Sequence, residues 1–166
     1  MAANGPRKQL ALDTNLLFAL ADDQEFDHAF REEFQAAGYA LRFSPTALRE
    51  LVMIELEGEE RERRLASIAL SSVIGWHIRP FDLSSVEQGI AEQFARRLLL
   101  AGALPQEEFN DAFILAETSV AEIPLLVTSD KHLLDIDEDA LLLLFNEADL
   151  PPVRIAHPRR LLRALG

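Results

Sequence analysis

The sequence contains no cysteine. That excludes disulfides, thiolate metal ligands and a thiol nucleophile, and it suits a reducing compartment, so a cytoplasmic location is expected. Long apolar runs are missing too. The longest, such as Ala140 to Phe145, fall far short of the roughly 20 residues that a membrane helix needs, so no membrane association is expected. The amino-terminal MAANGPRKQ is polar, and the apolar run behind it meets charge at Asp13, too soon for the core of a secretion signal. Positive charge is scarce: 16 basic residues stand against 28 acidic ones, a net charge of −12. Diffuse attraction to nucleic acid or anionic membrane is thereby excluded, and any polyanion must find a local basic patch. Neither a GxxxxGK phosphate loop nor a GxGxxG fingerprint is present. His28, His77, His132 and His157 lack the spacing of a zinc site.

What is there suffices for one core. The 166 residues are 49% hydrophobic, and residues 1–166 read as a single domain. Leu10 to Leu12, Tyr39 to Phe43, Trp76 to Phe81, Leu125 to Asp130 and Val153 to Ala156 read as strands. Between them, Leu16 to Ala21, Glu25 to Ala37, the segment opened by Ser44 and Pro45, Val86 to Ala101 and the stretch around Phe109 to Ile123 read as helices, with Gly38 and Gly102 as stops. Pro158 starts a last helix. In ELEGEERERRL, Glu57, Glu59 and Glu60 each stand four residues before Arg61, Arg63 and Arg64, which predicts ion pairs on an exposed helix. Residues 135–152, acidic and leucine-rich, read as an insertion before the last strand that carries a local helix. Strands alternating with helices imply an α/β fold: three layers, α/β/α, around a central, mostly parallel sheet.

Two strands end alike, in LALD followed by TN and in LLVTSD. If both lie parallel in one sheet, Asp13 and Asp130 share its carboxyl edge, where such folds hold ligands. Glu50 is the only acid in SPTALRELVMI, and Asp111 the one acid in FNDAFILA, a helix apolar on both sides. Carboxylates in such places cost several kcal/mol, roughly, unless paired or bound to a cation. Each acid alone has a plainer reading, as a turn former, a helix cap or a surface charge. Four together point to a site, and crowded carboxylates raise one another's pKa unless they share protons or a hard cation such as Mg²⁺ or Mn²⁺. A phosphatase of the haloacid dehalogenase type, with Asp-x-Asp on its first strand, is disfavoured, since the second position is Asn15, which cannot serve as a general acid.

These segments resemble the PIN-domain family of metal-dependent ribonucleases, which includes the VapC-type toxins of bacterial toxin–antitoxin pairs. The likeness rests on LDTNLLFAL, TALREL with Glu50, FNDAFILAET with Asp111, LLVTSDKHLL and the closing RIAHPRRLLRAL. It implies a PIN-like fold in which Asp13, Glu50, Asp111 and Asp130 hold Mg²⁺ or Mn²⁺ and are the catalytic residues. Asn15 and a hydroxyl from Thr128 or Ser129 would orient those ligands. It further implies hydrolysis of RNA phosphodiesters by metal-activated water, leaving a 5′-phosphate and a 3′-hydroxyl. Arg154, Arg159, Arg160 and Arg163, or Arg96 and Arg97, are the candidates to grip the RNA, and His132 is read as structural or as support behind the acids. An antitoxin protein and a second copy of the chain are kept as candidate partners.

Two other readings compete. A PIN-like scaffold without catalysis would show a broken acidic set, whereas this set is intact. A receiver-type domain would need an acidic pair before the first strand's Asp, which is absent.

Overall fold

The computed structural model describes residues 8–165. The amino-terminal MAANGPR, part of the stretch read above as too polar for a secretion signal, lies outside the described residues. Strand β1 (Lys8–Leu12) buries Leu10, Ala11 and Leu12, side chains of both its faces, and so belongs at the centre of a covered sheet. It is flanked on one side by β2 (Tyr39–Phe43) and then β3 (Ile78–Pro80), and on the other by β4 (Leu125–Val127) and then β5 (Arg154–Ala156). Every neighbouring pair is parallel, with Leu10 in register with Leu41 and Leu12 with Val127. The chain winds outward from β1 to β3, then crosses back to lay β4 on the other side of β1. That reversal makes the carboxyl edge between β1 and β4 a topological switch point, the crevice in which open parallel sheets bind ligands.

Helices α1 (Thr14–Ala21), α2 (Glu25–Ala36), α3 (Pro45–Glu57), α4 (Glu60–Ser72), α5 (Ser85–Leu100), α6 (Phe109–Val120), α7 (Lys131–Leu134), α8 (Glu138–Glu147) and α9 (Pro158–Leu165) complete a three-layer α/β/α, PIN-like fold. Local chemistry sets their ends. Ser44 Oγ accepts from the Ala47 N–H at 3.1 Å with Pro45 as the first residue of α3, and Ser84 and Glu87 form a reciprocal capping box on α5. Gly38 and Gly102 follow α2 and α5 with φ of +92° and +75°, a conformation an L side chain resists. In α6, every residue from Ala112 to Ser119 is buried. Phe94 stacks on Phe145 at 4.9 Å between ring centroids, fixing α8 to α5. No helix among the described residues is long and apolar enough to cross a membrane.

Several expectations are corrected. Helix α1 starts at Thr14 rather than Leu16, because the Asp13 side chain accepts the Thr14 N–H and nucleates it. Strand β3 is confined to Ile78–Pro80, since His77 takes a positive φ of 59° in the turn before it. Strand β4 ends at Val127, which releases Thr128 to Asp130 from the ladder into a loop. Strand β5 begins at Arg154, one residue after Val153. The expected pairs of Glu57, Glu59 and Glu60 with Arg61, Arg63 and Arg64 are not formed among the described residues. Gly58 ends α3, so Glu57 and Arg61 sit on different helices, and Arg61 bonds Asp22 at 3.1 Å instead.

Candidate metal centre

Asp13 stands where β1 stops. Its N–H still bonds the Val127 carbonyl at 3.0 Å, which carries the β1–β4 pairing one residue past the strand. Its side chain has turned to the next helix: Oδ1 accepts from the Thr14 N–H at 2.8 Å, and Oδ2 accepts from the Thr128 hydroxyl at 2.7 Å. The residue is only 3% exposed. The Thr128 hydroxyl has its full complement of partners, since it also accepts from the Asp130 N–H at 2.9 Å and from Asn15 Nδ2 at 3.4 Å. Thr128 therefore locks the tips of β1 and β4 together. Of the two hydroxyl candidates, it is the one in contact with the acids; Ser129 is exposed.

The other acids reach the same edge from two helix starts and one helix interior. Glu50 projects from α3, its Oε1 accepting from the Thr14 hydroxyl at 3.1 Å. Asp130 caps α7, its Oδ1 accepting the N–H groups of His132 at 2.7 Å and Leu133 at 3.4 Å. Asp111 lies in the first turn of α6 and Glu108 at its N-cap position. One oxygen from each of Glu108, Asp111 and Asp130 lies within 4.8 Å of the other two. Asp111 Oδ2 is buried with no hydrogen-bond partner. His132 Nε2 lies 3.4 Å from Glu108 Oε1, so His132 stands behind the acids.

The charges feel one another. Burial pushes Asp13 above the usual carboxylate range, the charges of Asp130 and Glu108 add to this, and the bonds from Thr128 and Thr14 oppose it. Burial also raises Glu50, with the Asp13 charge adding. Asp111 is pushed up to about 8, first by burial and then by the charges of Asp13 and Asp130, with Glu108 contributing through both a hydrogen bond and its charge. The donors are all hard oxygens, with no sulfur or imidazole nitrogen among Glu108, Asp111 and Asp130. Their spread matches two metal–oxygen bonds placed end to end, roughly 4 Å for Mg²⁺. Asp111, one of the three, also has a buried oxygen with no hydrogen-bond partner, and the set fits a hard divalent cation.

A pH dependence follows for the metal-free protein. The folded chain keeps the Asp111 proton up to about 8, whereas the unfolded chain releases it near the ordinary aspartate value of 3.8. The folded state thus binds more protons between those limits, and its stability is full below about pH 4 and falls as pH rises through about 8. Solvent screening at this partly open rim leaves about 1–2 kcal/mol of that effect, or about 3–6 °C in Tm. Melting in chelator from pH 5 to 9 should show the decline, and Asp111→Asn should remove that portion of it. Equal slopes in the two proteins would contradict the assignment.

Of the candidate arginines, Arg154 opens β5, and Arg159, Arg160 and Arg163 lie on α9. Helix α9 starts just past the carboxyl end of β5, where Arg159 lies 4.3 Å over the Phe26 ring. Arg154, Arg159, Arg160 and Arg163 are exposed, and none forms an ion pair among the described residues. Arg96 and Arg97 are already engaged by Glu92 at 2.8 Å and Glu147 at 2.9 Å.

Asp13, Glu50, Asp111 and Asp130 thus meet at one sheet edge. Sequence reasoning missed Glu108 and Thr14. Thr14 was adjacent to the first acid in LDTN, and Glu108 stood three residues before Asp111, one helical turn away on the same flank.

The fold matches chains of known complexes. A chain of VapBC2 from Rickettsia felis bound to a promoter DNA fragment superposes with a TM-score of 0.59 at 15% identity, covering 90% of this chain and 98% of that one. A chain of DNA-bound VapBC from Salmonella typhimurium gives 0.57 at 20% identity, with 90% and 98% covered. FitAcB from Neisseria gonorrhoeae gives 0.53 at 18%, with 90% and 97% covered. No protein-family model matches the sequence, and neither does any curated protein. These similarities establish the PIN-like fold expected from the sequence.

Proposed function

We propose that this chain is a Mg²⁺- or Mn²⁺-dependent endoribonuclease acting in the cytoplasm as the toxin of a toxin–antitoxin pair. The observation that carries the reading is the set of acids converging at the switch point, among them Asp111 with its unpartnered Oδ2. Asp13, Asp111 and Asp130 would hold the ion, and Glu50 stands against them through Thr14. When bound, a divalent cation there would activate water and offset the charge that builds on a scissile phosphate during in-line attack.

The protein's own contribution is placement. Thr128 fixes the Asp13 carboxylate and the Asp130 backbone with one hydroxyl, so two ligands that follow different strands keep a constant separation. Arg154, Arg159, Arg160 and Arg163 supply the local cationic patch that a protein of net charge −12 needs in order to meet a polyanion. The matched structures are named as two-component complexes, two of the three quoted with DNA bound, which supports an antitoxin as the partner of this chain.

Incubation of the purified chain with single-stranded and structured RNA tests the reading. Cleavage is expected with Mn²⁺ or Mg²⁺, none in chelator, and full recovery on adding metal back, with products carrying 5′-phosphate and 3′-hydroxyl ends. A folded protein that leaves every RNA intact with both metals would make the chain a binding module instead.

A further inference from the structure

We propose that Glu108 is a metal ligand of this chain and that Glu50 is not, so that the ion is held by acids from the β1 tip, the start of α6 and the start of α7. The inference rests on the metal-centre reading above but concerns only which side chains hold the ion. Three observations carry it. The Glu108, Asp111 and Asp130 oxygens lie within 4.8 Å of one another, a group that includes neither Glu50 nor Asp13, but the charge of Asp13, and not that of Glu50, is among the causes that raise Asp111. Glu108 occupies the N-cap position of α6 yet makes no capping bond with its side chain. It stands beside Asp111 and Asp130 instead, although the N–H groups of the first helical turn are the natural partners of a carboxylate at that position. A carboxylate that forgoes those donors to stand beside two other acids is in a repulsive arrangement that a cation resolves.

Glu50 is in the opposite condition. Its Oε1 already takes the Thr14 hydroxyl at 3.1 Å. Thr14 in turn gives its N–H to Asp13 at 2.8 Å. Glu50 is therefore a positioning residue that holds Thr14, and through it Asp13, in place. Glu108 has His132 Nε2 at 3.4 Å on its outer side, the kind of partner that orients a ligating carboxylate from behind.

The test is a Mn²⁺ titration of the full chain at fixed pH, read by the electron paramagnetic resonance signal of the free ion and by thermal shift. Glu108→Gln is expected to raise the Mn²⁺ Kd by about 10-fold or more, as even outer-shell losses cost 10- to 100-fold. Its metal-free Tm should not fall, since no capping bond is lost. Glu50→Gln should leave the Kd within about threefold, below the range that loss of an oriented ligand produces, while cleavage drops. Wild-type affinity in Glu108→Gln, or a loss in Glu50→Gln as large as that in Asp130→Asn, would overturn the assignment. If Asp13→Asn and Asp130→Asn weaken Mn²⁺ while Glu108→Gln does not, Glu108 falls and the metal centre stands. If no acid variant alters binding, or the wild type binds no Mn²⁺, both fall.

Discussion

Asp13→Asn should lower metal-dependent RNA cleavage by ~10³-fold or more while leaving the metal-free protein at least as stable as the wild type. The substitution keeps the shape of a side chain that is 3% exposed, and its amide oxygen can still accept the Thr14 N–H that starts α1. What is lost is a negative charge that burial disfavours and that Asp130 and Glu108 repel. Removing it relieves the desolvation cost, which offsets the weakened bond from Thr128. Asp13→Ala supplies the contrast. Alanine leaves the Thr128 hydroxyl and the Thr14 N–H without an acceptor, and α1 without its cap, so this variant should lose about 1–3 kcal/mol as well as its activity. Cleavage assays and chelator-treated melting curves on the pair separate chemistry from scaffolding. Retention of cleavage within about tenfold of wild type in Asp13→Asn would remove Asp13 from the site, since loss of a metal ligand costs more than that.

The two strand tips were legible because the signal lies inside short segments. An apolar run followed at once by Asp and Thr, or by Thr, Ser and Asp, states both that the strand is buried and that the acid sits at its end. Parallel pairing then puts Asp13 and Asp130 at one edge with no further information. Asp111 was legible for a related reason, as a lone acid on a helix too apolar to be exposed. Glu108 was not. In PQEEFND it belongs to a polar loop where acids are ordinarily solvated, and its proximity to Asp130 arises only when β4 lies beside β1 and α7 begins there. The pair expected between Glu57 and Arg61 failed for the converse reason: the spacing argument assumed one continuous helix, and Gly58 breaks it. Periodicity within an element is written in the sequence, whereas contacts between elements depend on the fold that joins them.

Glu117→Ala should be the most destabilising single substitution in α6, lowering Tm by about 10 °C from a loss of about 3–5 kcal/mol. Glu117 is fully buried, yet no basic residue among the described residues bonds it. Its Oε1 accepts the backbone N–H of Thr46 at 3.0 Å, and its Oε2 accepts the Thr46 hydroxyl at 2.7 Å and Gln88 Nε2 at 3.0 Å. Thr46 N is one of the free N–H groups at the start of α3, so the carboxylate serves that helix as a second cap beside Ser44 and meets the positive end of its dipole. It thereby joins α6, α3 and α5 at one point, and α3 is the helix that carries Glu50. Alanine would leave two buried donors on Thr46 and one half-buried donor on Gln88 unserved at about 1–3 kcal/mol each, part of which local relaxation recovers. Glu117→Gln keeps the volume and one acceptor, and should lose no more than about half as much. Thr46→Val placed in the Glu117→Leu background should restore some stability by removing the orphaned hydroxyl. It cannot restore all of it, because the Thr46 N–H belongs to the backbone and no side-chain replacement removes it. A Glu117→Ala protein that melts within about 2 °C of wild type would mean that water takes over these three bonds, and that α3 is held at the metal centre by packing alone.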